Sequence, residues 1–153
     1  MTEPIRHAPF GHAPLRHADT DAEIAACFPV MRQLRPHLTN QEELCARVRR
    51  QAAAGYRILA AWHGEDVVGL AGYRPQENLV RGPFCYVDDL VVHDDQRRSG
   101  LGARLLAAVG VEARARGLPH LVLDTALDNT LGQRFYFRFG MLPAALRFAM
   151  RLD

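Results

Sequence analysis

No lysine occurs in the 153-residue chain; its nineteen basic side chains are all arginine. A phosphate loop that ends in Gly-Lys-Ser or Gly-Lys-Thr is therefore excluded. Cysteine is also scarce. Cys27, Cys45 and Cys85 are odd in number, widely spaced and set in apolar runs, the pattern of buried free thiols and not of a disulfide framework. A reducing compartment, and hence a cytoplasmic location, is expected. No eighteen apolar residues run together and residues 1–18 hold no apolar stretch of signal-peptide length, so no membrane partner is expected. The formal charge is only +2 and the arginines are dispersed, which speaks against nucleic-acid binding.

What is present fits one compact domain: 48% of residues are hydrophobic and 24% charged. A chain of this length buries roughly two-thirds of its unfolded surface and needs no metal or disulfide to hold a core. Residues 1–14 read as a flexible arm and residues 15–153 as the domain. His7, His12 and His17 are spaced by five and interleaved with prolines, so they share no helical face, and no metal is expected.

The periodicity predicts a mixed α/β chain. Leu15 to Ala18 starts a strand. Thr20 with Glu23 forms a capping box for a helix running to about Arg35, in which Pro29 predicts a kink near Ala25 or Ala26. Asn40 with Glu43 opens a second helix that ends at Gly55. Tyr56 to Trp62 and Val67 to Tyr73 read as a hairpin, Gln76 to Pro83 as a loop, and Phe84 to Val92 as a third strong strand. A helix follows from Gly100 to Gly117, then a short strand Leu121 to Leu123, a short helix Asn129 to Phe139, and a final strand Arg147 to Leu152.

Chemistry concentrates after the Phe84–Val92 strand. Arg97-Arg98-Ser99-Gly100-Leu101-Gly102 places a glycine-rich turn between a strand and a helix, where free amides and the helix dipole favour a phosphate. Arg97 and Arg98 add charge-assisted donors. A dinucleotide fingerprint would need a third glycine where Leu105 stands, although Asp124 falls at about the distance of a ribose contact. What fits is Arg97-x-x-Gly100-x-Gly102, which resembles the coenzyme A diphosphate loop of the GNAT superfamily of N-acetyltransferases. Asn129, with Phe135 and Tyr136 six and seven residues on and then Phe139-Gly140-Met141, resembles that family's second signature. The two cover Asp88 to Met141 in the family's order.

The resemblance implies a mixed, splayed sheet of six to seven strands flanked by about four helices. It implies acetyl-CoA as co-substrate with no metal, and an amine of a small molecule or peptide as acceptor. Pantetheine would lie in a gap between the Phe84–Val92 and Leu121–Leu123 strands, with the backbone of Leu90, Val91 and Val92 pairing its amides. A donor near Leu90 would hold the thioester oxyanion. Arg97, Arg98, Ser99, Gly100, Leu101, Gly102 and Ala103 would bind the diphosphate, with Asn129 and Tyr136 also touching the cofactor. A chain without lysine offers no internal lysine to acetylate.

Transfer to an amine sets two proton tasks. The amine, with a pKa near 10, must lose a proton before attack, and the departing thiolate must gain one. By the resemblance, Asp88 stands where relatives often carry a glutamate and is the candidate base, acting through water because its side chain is one methylene shorter. Asp89 is expected on the opposite sheet face by period-two alternation. Tyr136 resembles the family's general acid; its plainer role is to pack in the cluster Phe135, Tyr136, Phe137 and Phe139. Asn129 has a plainer role as a helix cap. His93 stands as a spare base, and Cys85 as an acyl carrier is disfavoured because no motif sets a histidine beside it. Asp88, Asp89, Asp124 and Asp128 would make the site mouth negative and attract a cationic amine. The contrasting reading is a sensor domain that binds acyl-CoA without turnover. A C-terminal edge strand leaves a homodimer open.

Overall fold

The computed structural model describes residues 10–153, and the chain falls into two compact units, Met1–Val122 and Leu123–Asp153. The first unit holds strands β1 (Leu15–His17), β2 (Arg57–His63), β3 (Asp66–Asn78) and β4 (Gly82–Val92). Its helices are α1 (Asp21–Ala26), α2 (Phe28–Leu34), α3 (Gln41–Ala52) and α4 (Leu101–Ala115), and β5 (Leu121–Leu123) spans the unit boundary. The second unit holds α5 (Thr130–Phe139). The sheet order is β1-β2-β3-β4-β5, with β1 to β4 successively antiparallel. This is the mixed α/β class expected, with five strands among the described residues in place of six to seven and five α-helices in place of about four.

Both differences have local causes. The helix expected from Thr20 to Arg35 divides at Cys27. Pro29 sits in the first turn of α2, where its missing donor costs nothing, and the kink becomes a break. The capping box does form: Thr20 accepts from the Glu23 amide, and the Glu23 carboxylate accepts from the Thr20 amide at 3.0 Å, which lowers the Glu23 carboxyl to about 2. The missing strand is Arg147–Leu152: residues 141–153 carry no helix or strand. Strand character there is real, since Leu146, Phe148, Met150 and Leu152 alternate, but all four are exposed. A single extended segment gains no ladder bonds without a neighbour.

The hairpin is longer than its apolar pattern. Gln76–Asn78 and Pro83 belong to β3 and β4, leaving only Leu79–Arg81 as the turn, so the loop expected over Gln76–Pro83 is mostly sheet. Beyond Tyr73, β3 has lost its β2 neighbour, and Pro75 is tolerated there because an edge does not need its donor.

Two apolar layers clamp the sheet. On one side Ile24, Val30, Met31, Leu44 and Val48 pack with Tyr56, Ile58, Ala60, Leu70 and Val91. On the other, α4 buries Leu101, Leu105, Leu106 and Val109 completely or nearly so. Gly69 permits this approach, since a Cβ there would stand 3.1 and 3.2 Å from the Leu101 and Leu105 methyls. Of the arm expected over residues 1–14, residues 1–9, with His7, lie outside the described residues. Phe10–His12 form one 3-10 turn, so the arm is not loose at that end. Among the described residues no helix is long and apolar enough to cross a membrane.

Candidate active site

The strand that was expected to carry the chemistry contains an irregularity. Gly72 pairs with Asp89, but Tyr73 pairs with Val87, so Asp88 is an extra residue in β4. The bulge interrupts the pairing at Asp88, and one guanidinium reaches both residues, at the Asp89 carboxylate and at the Asp88 backbone carbonyl. Arg35, the C-cap of α2, donates from Nε to Asp89 Oδ1 at 2.9 Å and from Nη2 to the Asp88 carbonyl at 2.7 Å. The Tyr56 hydroxyl donates to Asp89 Oδ2 at 2.6 Å, and Arg74 Nη2 donates to Asp88 Oδ1 at 3.0 Å. Gly72 makes room for this group: a Cβ there would run into the Tyr56 hydroxyl and stand 2.7 Å from Asp89 Oδ2.

The electrostatics follow from burial. Asp88 is pushed above the ordinary carboxylate range by desolvation, which outweighs the opposing pull of Arg74. Its Oδ2 atom is buried with no hydrogen-bond partner, as is Arg74 Nε. The Tyr56 phenol is raised well above its usual value by burial and by the Asp89 carboxylate, so it stays a donor. Asp88 and Asp89 are matched by Arg74 and Arg35, and in the second unit Asp124 pairs with Arg147.

After Val92 the chain makes a 3-10 turn, Asp94–Gln96, and then enters α4 through two left-handed residues, Arg98 at φ 66° and Gly100 at φ 80°. A Cβ at Gly100 would meet nothing within 4 Å, so the glycine serves backbone conformation and not space. Ser99 Oγ accepts from the Leu101 amide at 3.3 Å, and the helical ladder begins with Arg104 N to Gly100 O at 3.1 Å. The amides of Gly102 and Ala103 lie in the first turn, which has no preceding carbonyls of its own. Leu101 is buried beneath them and fixes the helix start. Arg97 and Arg98 are exposed, with Arg97 against Asp94 at 2.7 Å. These residues fit a diphosphate: open backbone, amides and two guanidinium groups on one loop.

Leu90, Val91 and Val92 pair on one side with Ala71, Leu70 and Gly69. On the other side Cys85 N donates to His120 O at 2.8 Å, but three residues of β5 cannot accompany eleven of β4, so part of that edge carries no strand. His93 caps the 3-10 turn, accepting from the Asp95 amide at 3.2 Å. Cys85 is buried and its thiol is pushed up to about 11, which leaves it inert as an acyl carrier.

In the second unit, Asn129 caps α5, accepting from Gly132 N at 3.0 Å and donating to Thr125 Oγ1 at 3.0 Å. Tyr136, seven residues on, shares its helical face. The ring is half-buried and meets Phe135 edge-on at 5.2 Å, and burial alone raises its phenol, which therefore stays protonated at neutral pH. Gly140, at φ 99°, closes the helix.

A family model described as "Acetyltransferase (GNAT) family" matches residues 19–141, a span that includes the bulge, the loop and α5. The chain belongs to that family. It is an acetyltransferase with acetyl-CoA as its co-substrate. This GNAT chain is 27% identical over 125 residues to the uncharacterized N-acetyltransferase YhdJ of Bacillus subtilis, covering 80% of the chain and 86% of the relative. It is 37% identical over 94 residues to the L-methionine sulfoximine/L-methionine sulfone acetyltransferase of Pseudomonas aeruginosa, covering 59% of the chain and 53% of that relative. Its fold is similar to that of aminoglycoside N-acetyltransferase AAC(6')-Iy in complex with CoA, with a TM-score of 0.81 at 19% identity over 92% of this chain and 95% of the other. Arg35, Tyr56 and Arg74, which hold Asp88 and Asp89, had no signal in the sequence, because their partners lie 14 to 54 residues away.

Proposed function

We propose that this GNAT acetyltransferase moves the acetyl group of acetyl-CoA onto a primary amine of a small molecule or peptide by direct attack, with both units forming one transferase domain over 15–153. The observation that carries this reading is the bulged β4 running through a left-handed loop into the open end of α4. Arg97, Arg98 and the backbone of Ser99 to Ala103 hold the diphosphate. Leu90, Val91 and Val92 pair the pantetheine, and the Leu90 amide holds the oxyanion. Asn129 and Tyr136 complete the cofactor contacts. Asp88 takes the proton from the acceptor ammonium, through a water, and the freed nitrogen lone pair attacks the carbonyl carbon. As the C–S bond breaks, Tyr136 protonates the sulfur, and the second proton, lost from the acylated nitrogen, passes through water to the phenolate and restores the phenol. No covalent enzyme intermediate is required.

Asp88 is favoured over Asp89 as the base because Asp89 already accepts two hydrogen bonds, whereas Asp88 keeps one carboxylate oxygen without a partner. For the acceptor, the guanidinium groups of Arg35 and Arg74 are partly exposed beside two better-buried carboxylates. That balance favours an amine that also carries a carboxylate, such as an amino acid like that of the methionine sulfoximine relative, over a polycation. Free cysteines support a cytoplasmic location. The exposed alternation at Leu146, Phe148, Met150 and Leu152 supports a homodimer in which this segment pairs with a second copy. Light scattering after gel filtration is expected to give twice the chain mass; a monomer at micromolar concentration rejects the pairing.

Release of coenzyme A thiol with a panel of amino acids, their amides and polyamines tests the whole reading. Coenzyme A binding without turnover on any amine would favour the sensor. Asp88→Asn is expected to cost at least about a hundredfold in kcat/KM for the amine. Because the Asp88 carboxyl is raised and must be ionised to act, wild-type activity declines as pH falls through a limb placed above the ordinary carboxylate range. The asparagine variant lacks that limb; an unchanged pH profile would assign the base elsewhere.

A further inference from the structure

Residues 11–14, directly before β1, are fastened to the first unit. Arg104, one turn inside α4, donates from Nη1 to the carbonyl oxygens of Gly11 at 2.6 Å and Ala13 at 3.0 Å. Ala13 is buried, and the next residue, Pro14, accepts from the Trp62 amide at 2.9 Å. The segment is thus fastened to α4 at one point and to β2 at another. At its first fastened residue it lies close against the Arg97–Gly102 loop: a Cβ at Gly11 would stand 2.8 Å from the Ser99 carbonyl oxygen. Gly11 is not among the glycines with positive φ, so its lack of a side chain serves close approach and not conformation.

The loop needs such support. Arg98 holds a left-handed conformation that costs a non-glycine residue free energy unless its surroundings impose it. Its internal bonds are long, with Arg97 N to Asp94 O and Ser99 N to Gln96 O both at 3.4 Å. We infer that Gly11–Ala13 is a strap that fixes the cofactor loop from behind, with Gly11 and Arg104 as positioning residues for coenzyme A binding. The inference rests on the reading of Arg97–Gly102 as the diphosphate loop. Arg104 does not act as a phosphate ligand in this scheme, because its Nη1 donates to the strap. It acts by holding Ser99 and Gly100 where the first-turn amides stay open. A methyl group at position 11 pushes directly on the Ser99 carbonyl and shifts the peptide that leads into Gly100.

Gly11→Ala and Arg104→Met are each expected to raise KM for acetyl-CoA on the order of tenfold, the effect of losing about one net hydrogen bond. Both should leave kcat at saturating acetyl-CoA, and KM for the amine, within about twofold. Arg104→Lys should recover part of the loss, since an ammonium can still reach one carbonyl. Calorimetric titration of coenzyme A into the unsubstituted protein comes first. If that protein binds coenzyme A and both variants bind it equally well, the strap is overturned while the loop assignment stands. If the unsubstituted protein takes up none, the loop assignment falls and the strap with it. Variants that lose kcat and both KM values together, with a lowered Tm, mark a purely architectural role and likewise overturn it.

Discussion

With phenylalanine in place of Tyr136, kcat is expected to fall by about a hundredfold or more while KM for acetyl-CoA stays near its original value. Proton donation by a positioned side chain contributes roughly 10²–10⁴ to rate. The departing thiolate has a conjugate acid near 8.5, so without a donor it leaves as an anion into a partly apolar site. In the proposed mechanism the phenol gives that proton: burial raises it and keeps the proton in place at neutral pH. The substitution removes only the hydroxyl. The ring still meets Phe135 edge-on and α5 keeps its Asn129 and Gly140 caps, so Tm should hardly move. The deficit should also be pH-dependent. Above the raised phenol range the unsubstituted enzyme loses its own proton, and the two rates converge. A variant with full kcat and a lowered Tm would instead make Tyr136 a packing residue of the aromatic cluster.

Local signals in the sequence carried far in this chain. Pro29, Thr20 with Glu23, Gly100 and Gly140 each act within a few residues of their effect, and the capping box and both glycine caps were readable for that reason, whereas the disturbance at Pro29 was read as a kink near Ala25 or Ala26 and is a break at Cys27. So was the glycine-rich loop, whose chemistry is a matter of spacing. The bulge was not readable. An extra residue in β4 is defined only by the register of β3 beside it, so period-two alternation counts Asp88 as an ordinary strand position when it has no partner in β3. The arginines that neutralise the two carboxylates were equally hidden, since net charge cannot reveal which side chains meet across the fold. Gly11 and Arg104 lie 93 residues apart, and neither matches a motif. The Arg147–Leu152 segment fails in the opposite sense: its alternation is plain, but a strand also needs a neighbour, which the sequence pattern of one chain does not supply.

Asp89→Ala should destabilise the fold by about 3 kcal/mol, which for a chain of this size lowers Tm by roughly 6–12 °C. The Asp89 carboxylate is only 12% exposed and satisfies two groups at once, the Tyr56 hydroxyl and Arg35 Nε. Its removal strands the Tyr56 hydroxyl, buried between the sheet and the α1–α2 layer, at a cost of about 1–3 kcal/mol. The loss at Arg35 is smaller, because that guanidinium is 40% exposed and recovers water. The double variant Asp89→Ala with Tyr56→Phe separates the two: removing the stranded hydroxyl should restore about 1 kcal/mol, a non-additivity that independent sites do not show. Function should suffer beyond stability, since Arg35 also holds the carbonyl of the bulged Asp88. Below the melting range, Asp89→Ala is therefore expected to lose kcat, whereas Asn40→Ala, which removes only the α3 cap, should lower Tm and leave kcat intact. Equal kcat in both variants would mean that the bulge keeps its shape without Asp89, and that this carboxylate serves the core alone.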